Sequence, residues 1–179
     1  METELELLTA VKAGDRQAMR RLYERFKGYA TSIGHRYIPD NDDVDDVVQD
    51  TFISIFTAIG RFEPNGEGAL KAWIGRTVVN KSLDFIKKHE RISFTDKMPE
   101  QADEETELER IPPEVMSRMI AQLPPGYRMI LNLYVFERCS HSEIAQRLGI
   151  KENSSTSQYA RAKQMLIKMI NDYIRRHEI

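Results

Sequence analysis

Two helices joined at a glycine corner are predicted by the stretch His141-Ser-Glu-Ile-Ala-Gln-Arg-Leu-Gly149-Ile-Lys-Glu-Asn-Ser-Ser-Thr-Ser-Gln-Tyr-Ala-Arg-Ala-Lys163. Ser140 and Glu143 have the spacing of a capping box, so the first helix should begin there. Gly149 can adopt the left-handed backbone that ends a helix, and a second helix should begin near Glu152. This arrangement is a helix-turn-helix, which presents its second helix to the DNA major groove.

The second helix of this pair has two chemically different faces. At helical spacing, the residues expected to be buried are Ser155, Tyr159, Ala162 and Leu166. The small, polar and basic residues expected to face outward are Thr156, Ser157, Ala160 and Arg161. Small residues allow close approach to DNA, and hydroxyl and guanidinium groups bind phosphates or base edges. From spacing alone, a helical hairpin that never contacts DNA remains an alternative.

Charge is unevenly distributed along this chain of 179 residues, although its net charge is only -2. Residues 1–69 carry 8 basic and 13 acidic side chains, whereas residues 70–91 carry 6 and 2. Residues 92–110 carry 2 basic and 7 acidic side chains, and residues 111–179 carry 10 and 6. Two separate basic blocks on a nearly neutral chain indicate two contacts with a polyanion.

Glycine, proline and helical periodicity predict an all-α protein with two small helical domains. The expected boundaries are a helical domain over residues 1–92, a flexible acidic linker over 93–111 and a second helical domain over 112–179. No apolar run is long enough to span a bilayer and the amino terminus is acidic, so we expect a cytoplasmic protein without a signal peptide. A single cysteine, Cys139, excludes an internal disulfide.

The fourth predicted helix, from about residue 69 to 89, separates polar from apolar side chains. When the projection is continued to residue 91, its polar stripe comprises Arg76, Asn80, Asp84, Lys87 and Arg91, with Lys81 and Lys88 beside it. Trp73 lies at the amino-terminal end of this stripe. An aromatic ring beside basic residues can stack on the bases of an opened strand. Packing of Trp73 against the third helix explains its position equally well.

Aspartates are concentrated in the first turns of the third predicted helix, for which Asp42 or Asp43 is the expected N-cap. Asp46, Gln49 and Asp50 share one exposed side, which suits a basic protein partner. Favourable interaction of acidic residues with the helix dipole is a sufficient structural explanation. The glycine-containing spacing of a calcium loop is absent, so no metal site is expected.

Several motifs occur in one order along nearly the whole chain. They are Leu22-Tyr-Glu-Arg-Phe26, Asp43-Val-Asp-Asp-Val-Val-Gln-Asp-Thr-Phe52, Trp73-Ile with Asn80 and Asp84, Leu123-Pro-Pro-Gly-Tyr-Arg128, and the helix-turn-helix. With an acidic segment between the two groups, this order resembles an extracytoplasmic-function (ECF) sigma factor of bacterial RNA polymerase. Several coinciding motifs are more specific than any one helix-turn-helix.

The resemblance implies that residues 1–92 correspond to sigma region 2 and residues 112–179 to sigma region 4, with the linker threading toward the RNA exit path. Its implied partners are core RNA polymerase, promoter DNA and an anti-sigma factor. The residues implied to bind core polymerase are Asp46, Gln49 and Asp50. Those implied to read and melt the -10 element are Arg61, Phe62, Trp73, Arg76, Asn80, Lys81, Lys87, Lys88 and Arg91. Those implied to read the -35 element are Lys151, Ser154, Thr156, Ser157, Ala160 and Arg161.

Other classes of function fit the sequence less well. The chain has no P-loop, HExxH or dinucleotide fingerprint and no nucleophile-base set, so we expect neither an enzyme nor a cofactor or small-molecule substrate. The alternative is a self-standing helix-turn-helix regulator that dimerises through its amino-terminal half. Such a regulator would bind a palindromic site tightly without polymerase.

Overall fold

The computed structural model describes residues 2–100 and 108–177. Every regular element within these residues is a helix, which confirms the all-α class. The chain divides into two compact units, one ending at Lys88 and the other beginning at His89. Of the predicted linker, residues 93–100 and 108–111 therefore belong to the second unit, and residues 101–107 lie outside the described residues.

The first unit contains four α-helices and one 3-10 turn. They are α1 (Glu4–Lys12), α2 (Arg16–Tyr37), α3 (Asn41–Ala58), the 3-10 turn Ile59–Arg61 and α4 (Ala69–His89). The side chains of α2 that recur every three or four residues are buried, as an amphipathic helix requires. Apolar residues of the neighbouring helices are buried as well, among them Leu8, Val48, Phe52 and Ile74.

The amino termini of α2 and α3 are both capped by aspartate. Asp15 accepts hydrogen bonds from the amides of Gln17 and Ala18. In α3 the prediction that Asp42 or Asp43 is the N-cap was wrong. The N-cap is Asp40, which has the extended backbone of that position. The Asp40 carboxylate accepts from the amides of those two residues at 2.9 and 3.1 Å. The helix therefore starts directly after the Pro39-Asp40 pair.

Helix α2 approaches its neighbours closely at glycine. A Cβ on Gly34 would lie 2.9 Å from Val44 Cγ1, which is nearer than side-chain carbons normally come. Gly75 of α4 is in a similar position, because a Cβ there would lie 2.6 Å from the hydroxyl of Tyr29. These contacts explain why two helix interiors contain a residue that costs each about 1 kcal/mol relative to alanine.

The second unit contains the 3-10 turn Leu108–Arg110 and the helices α5 (Pro113–Ala121), α6 (Pro125–Val135), α7 (His141–Leu148) and α8 (Glu152–His177). Its core joins α5, α6 and α8 through Met119, Ile120, Leu131, Ala162, Leu166 and Ile170. Although α8 has 26 residues, no helix within residues 2–100 and 108–177 is both long and apolar enough to cross a bilayer.

The Gly34 contact predicts opposite effects for two alanine substitutions in the same helix. Gly34→Ala should lower the free energy of unfolding, because a forced overlap costs about 1–3 kcal/mol and exceeds the gain in helix propensity. Gly28→Ala should raise it by up to about 1 kcal/mol, since a Cβ there meets no described atom within 4 Å. Urea denaturation followed by circular dichroism measures both. Equal shifts for the two variants would show that the α2–α3 contact can relax.

Candidate nucleic-acid interface

Helix α3 presents an acidic side to solvent while its opposite side is buried. Asp46, Gln49 and Asp50 are all exposed, as the sequence predicts. The same side carries Ile53, which is 64% exposed and which the sequence analysis did not assign to any surface. Asp46, Asp50 and Ile53 follow one another at helical spacing of four and three residues, so they form one continuous stripe.

This stripe combines negative charge with an exposed branched apolar side chain. We call Asp46, Gln49, Asp50 and Ile53 the acidic stripe. In the part of the chain that the structure describes, no three acidic, histidine or cysteine side chains come together as metal ligands. An exposed apolar residue beside charged ones is typical of a protein-binding surface. The acidic stripe therefore suits a basic protein partner that also makes an apolar contact at the Ile53 end.

Trp73 stacks on Phe62, the residue that follows the 3-10 turn after α3. The two ring centroids are 4.4 Å apart and the ring planes are 8° from parallel. Both side chains are half-buried, and the carbonyl of Phe62 accepts a 2.6 Å hydrogen bond from Lys12 Nζ of α1. Trp73 thus packs against the loop before α4. Because both rings remain partly exposed, the stacked pair forms part of the surface at the amino-terminal end of the basic face.

The basic face of α4 is exposed for most of its length. Arg76, Asn80, Lys87 and Lys88 are exposed, and Lys81 is half-buried. Arg61 is exposed at the end of the preceding 3-10 turn. The helical projection to residue 91 was wrong at its end, because α4 stops at His89 and Arg91 lies beyond the helix. Arg91 is exposed, and it belongs to the second unit.

Both predicted ends of the first helix of the helix-turn-helix are confirmed. The Glu143 amide donates to Ser140 Oγ at 3.2 Å, and the Ser140 amide donates to the Glu143 carboxylate at 2.7 Å. Gly149 has φ 67°, the left-handed conformation that glycine adopts without strain. The next helix begins at Glu152, as expected.

A polar and aromatic cluster joins α7 to α8 behind the turn. His141 Nδ1 lies 2.9 Å from Ser155 Oγ, and the imidazole stacks on Tyr134 with centroids 4.6 Å apart. Tyr134 also contacts Tyr159. The sequence predicts that Tyr159 is buried, but in the structure it is only half-buried. Burial of the imidazole lowers the pKa of His141, an effect that Glu152 partly offsets by charge attraction.

The outward face of α8 differs from its predicted exposure. Lys151 is exposed, whereas Thr156, Ala160 and Arg161 are half-buried. Two assigned residues are buried: Ser154 is 6% exposed, and Ser157, which was expected to face outward, is 0% exposed. Gln158 is also buried, at 1% exposed. A helix face that should be open to DNA is thus partly covered.

The cover is provided by residues 93–100, which we call the strap. Its backbone carbonyl oxygens accept hydrogen bonds from α8: Ser93 from Gln158, Thr95 from Ser157, Lys97 from Arg161 and Glu100 from Gln164. Three of these bonds measure 3.2, 3.1 and 2.7 Å from the Gln158, Arg161 and Gln164 donors respectively. An exposed ion pair, with Lys151 Nζ 3.4 Å from Asp96 Oδ2, lies at one side.

Arg128 anchors the chain just before the strap. Its side chain is 3% exposed, and Nη1 donates to the carbonyls of Ala121 and Leu123 at 3.1 and 2.9 Å. Nη2 lies 3.3 Å from the Glu90 carboxylate. Burial lowers the pKa of Arg128, and the charge of Glu90 opposes this effect. This contact could not be predicted from the sequence, because nothing local distinguishes Arg128 from a surface arginine.

Comparison with protein families gives two matches, in the order of the two units. Residues 22–92 match the family described as Sigma-70 region 2, and residues 114–166 match Sigma-70, region 4. Together these segments span more than half of the chain. An all-helical chain with these two regions in this order is a bacterial transcription initiation factor of the sigma-70 type.

Relatives extend this comparison over nearly the whole chain. The ECF RNA polymerase sigma factor SigE of Mycolicibacterium smegmatis is 26% identical over 176 residues, covering 92% of this chain and 65% of that protein. The ECF RNA polymerase sigma-E factor of Escherichia coli K12 is 26% identical over 189 residues, covering 97% of each. A solved structure of CnrH in complex with the cytosolic domain of CnrY aligns with TM-score 0.49 and 23% identity over 93% of this chain and 96% of that one. The chain belongs to the ECF sigma factors of RNA polymerase.

The half-buried imidazole of His141 predicts a pH dependence of stability in the second unit. Because the pKa of His141 is lowered on folding, the unfolded chain takes up the proton first as the pH falls. The free energy of unfolding should therefore fall as the pH drops below about 6.5, the ordinary pKa of histidine. His141→Gln should reduce this dependence between about pH 7.5 and 5.5, as measured by thermal unfolding. His35→Gln, at an exposed position of α2, is the control; a dependence unchanged in His141→Gln would contradict the assignment.

Proposed function

We propose that this sigma factor divides its work among three surfaces. The acidic stripe of α3 binds core RNA polymerase, the basic face of α4 with its loop reads and melts the -10 element, and α8 reads the -35 element. Residues 1–92 act as region 2, residues 112–179 as region 4, and residues 93–111 connect them. The observation that supports this most is the match of the two regions to sigma regions 2 and 4, together with the exposed acidic stripe of α3 and the largely exposed basic face of α4.

The acidic stripe is the proposed site of polymerase binding. Two carboxylates, an amide and the 64% exposed Ile53 form one continuous side of α3. Burial of an exposed isoleucine side chain contributes on the order of 1.5–3 kcal/mol when the partner covers it fully. The surrounding carboxylates would steer a basic partner toward that contact.

The basic face of α4 is the proposed -10 surface. Its cations at positions 76, 81, 87 and 88 can follow a phosphate backbone, and Asn80 can bond a base edge. The stacked pair of Phe62 and Trp73 lies at the amino-terminal end of this face. An opened strand can stack its bases on that pair. Arg91 adds a cation after the helix ends.

Helix α8 is the proposed -35 reader. Lys151 and Arg161 supply positive charge, Ser154, Thr156 and Ser157 supply hydroxyl groups, and Ala160 permits close approach. The capping box at Ser140 begins α7, and the left-handed Gly149 ends it where the chain turns toward α8. In a helix-turn-helix, the second helix of such a pair enters the major groove.

The remaining features of the proposal follow from family membership. The protein would act in the cytoplasm with RNA polymerase, catalyse no reaction of its own and be held inactive by an anti-sigma factor. A self-standing regulator that dimerises through its amino-terminal half is not favoured, because that half matches sigma region 2. The two readings differ in whether transcription from the cognate promoter depends on adding this protein to core polymerase.

Core binding provides the first test. Asp50→Ala and Ile53→Ala should each raise the Kd for core polymerase about tenfold, the loss expected when an interface residue worth about 1.4 kcal/mol is truncated. Anisotropy of the labelled protein measures the Kd, and run-off transcription from a cognate promoter measures activity. Glu114→Ala, at an exposed position in α5, is the matched control. No binding of the unaltered protein to core would refute the polymerase role.

Duplex opening provides the second test. Trp73→Ala should slow promoter opening more than it weakens initial promoter binding, because it removes half of the aromatic pair on which bases would stack. A 2-aminopurine base in the -10 element reports opening, and band-shift titration of the same holoenzyme reports binding. Phe62→Ala should have the same effect. Normal opening by both variants would show that the pair only packs the loop.

A further inference from the structure

The strap lies on the side of α8 to which the -35 element is assigned. Lys151, Ser157 and Arg161, half of the assigned -35 residues, all bond to residues 93–100. Gln158 and Gln164 bond to the strap as well, so the contact extends along two turns of the helix. Ser157 is 0% exposed, and its hydroxyl donates a hydrogen bond to the backbone carbonyl of Thr95. DNA cannot reach this hydroxyl while the strap is in place.

The strap and DNA would both offer hydrogen-bond acceptors to the side-chain donors of α8. The strap offers carbonyl oxygens to hydroxyl, amide and guanidinium donors. Phosphate oxygens and the acceptor atoms of base edges bind these same donor types. Because side-chain donors on α8 are satisfied in the free protein, releasing the strap without a replacement would leave them to water. A DNA acceptor can take over each bond as the strap leaves.

The charge of this segment points in the same direction. The strap carries two acidic side chains, Asp96 and Glu100, and one basic side chain, Lys97. Asp96 pairs with Lys151, and a hydrogen bond from its own backbone amide, followed by the charge of Lys151, lowers the pKa of Asp96. Acidic groups at this position repel phosphate and occupy a cation that would otherwise bind it. Cover and charge therefore both oppose DNA at α8.

The start of the strap is held independently of α8. Glu90 is paired with the buried guanidinium of Arg128. A Cβ on Gly126 of α6 would lie 3.3 Å from Ile92 Cγ2 and 3.4 Å from the Ser93 carbonyl oxygen, so the chain passes directly over the start of α6. This anchor keeps residues 93–100 close to α8 at high effective concentration even when the hydrogen bonds break.

We propose that residues 93–100 form an autoinhibitory strap that competes with promoter DNA for α8 and must leave the helix before the -35 element is read. This inference rests on the proposed role of α8. Individual hydrogen bonds are weak, and ordering the strap costs conformational entropy. The strap is therefore an equilibrium cover that DNA displaces, and the apparent affinity for DNA is reduced by the fraction of molecules that are closed.

The cover itself is tested without DNA or polymerase. Ser157→Cys in a Cys139→Ser background places a single thiol under the strap. Its labelling rate with a water-soluble disulfide reagent is compared with that of the same protein in which residues 93–100 are replaced by a Gly-Ser sequence of equal length. Labelling should be about tenfold faster in the replacement if nine-tenths of the molecules are closed. Equal rates, with circular dichroism unchanged, would overturn the inference.

Competition is tested by binding of the free protein to a duplex that carries the -35 sequence selected by the holoenzyme from a promoter library. The Gly-Ser replacement should bind about tenfold more tightly than the unaltered chain. Gln164→Ala removes one strap bond of 2.7 Å and should tighten binding about threefold. Gln122→Ala, at an exposed position after α5, is the control and should change nothing.

The sign of the Gln164→Ala effect separates the two roles of this helix. Loss of a DNA contact weakens binding, whereas loss of a strap contact strengthens it. Weaker binding by Gln164→Ala together with no gain in the Gly-Ser replacement would overturn the competition. A third outcome is that the Gly-Ser replacement speeds thiol labelling while neither it nor the unaltered chain binds any selected duplex. That result would refute the proposed -35 role of α8 and, with it, the competition.

Discussion

The buried guanidinium of Arg128 fixes the path of the chain through the second unit. Its two arms bond the carbonyls of Ala121 and Leu123 at the corner between α5 and α6, and the carboxylate of Glu90. Carbonyls at the end of a helix have no partner within that helix, so this corner requires a donor from elsewhere. A buried charge without its partner is costly, and the three segments are therefore held together as a group. The course of the strap begins from this point.

Local signals explain why much of the fold could be predicted from the sequence. The cap at Ser140 and Glu143 and the turn at Gly149 depend on residues within a few positions of each other, so their spacing is sufficient evidence. The choice of N-cap for α3 failed because several aspartates lie together. Periodicity places a helix face, but it does not determine which of three neighbouring carboxylates adopts the extended backbone at Asp40.

The candidate site was less predictable where its contacts are distant in sequence. Arg161 donates a hydrogen bond to the backbone carbonyl of Lys97, 64 residues earlier in the chain. Because every residue has a backbone carbonyl, no sequence pattern in residues 93–100 predicts this contact. The composition of residues 93–111 predicts a flexible linker, yet residues 93–100 have defined hydrogen-bond partners on α8. Ile53 was missed although the sequence contains the signal, because it lies four residues after Gln49 and three after Asp50, on the exposed side of α3.

The strap bonds α8 through main-chain oxygens, and this has an evolutionary consequence. Side chains in residues 93–100 can change without removing any of those acceptors, as long as the backbone keeps its course. On α8 the opposite holds, because the donors are the side chains of Ser157, Gln158, Arg161 and Gln164. A lineage that alters these residues to recognise a different promoter alters the grip of its own cover in the same step. Promoter preference and the degree to which the free protein is autoinhibited would then be inherited together, as one trait.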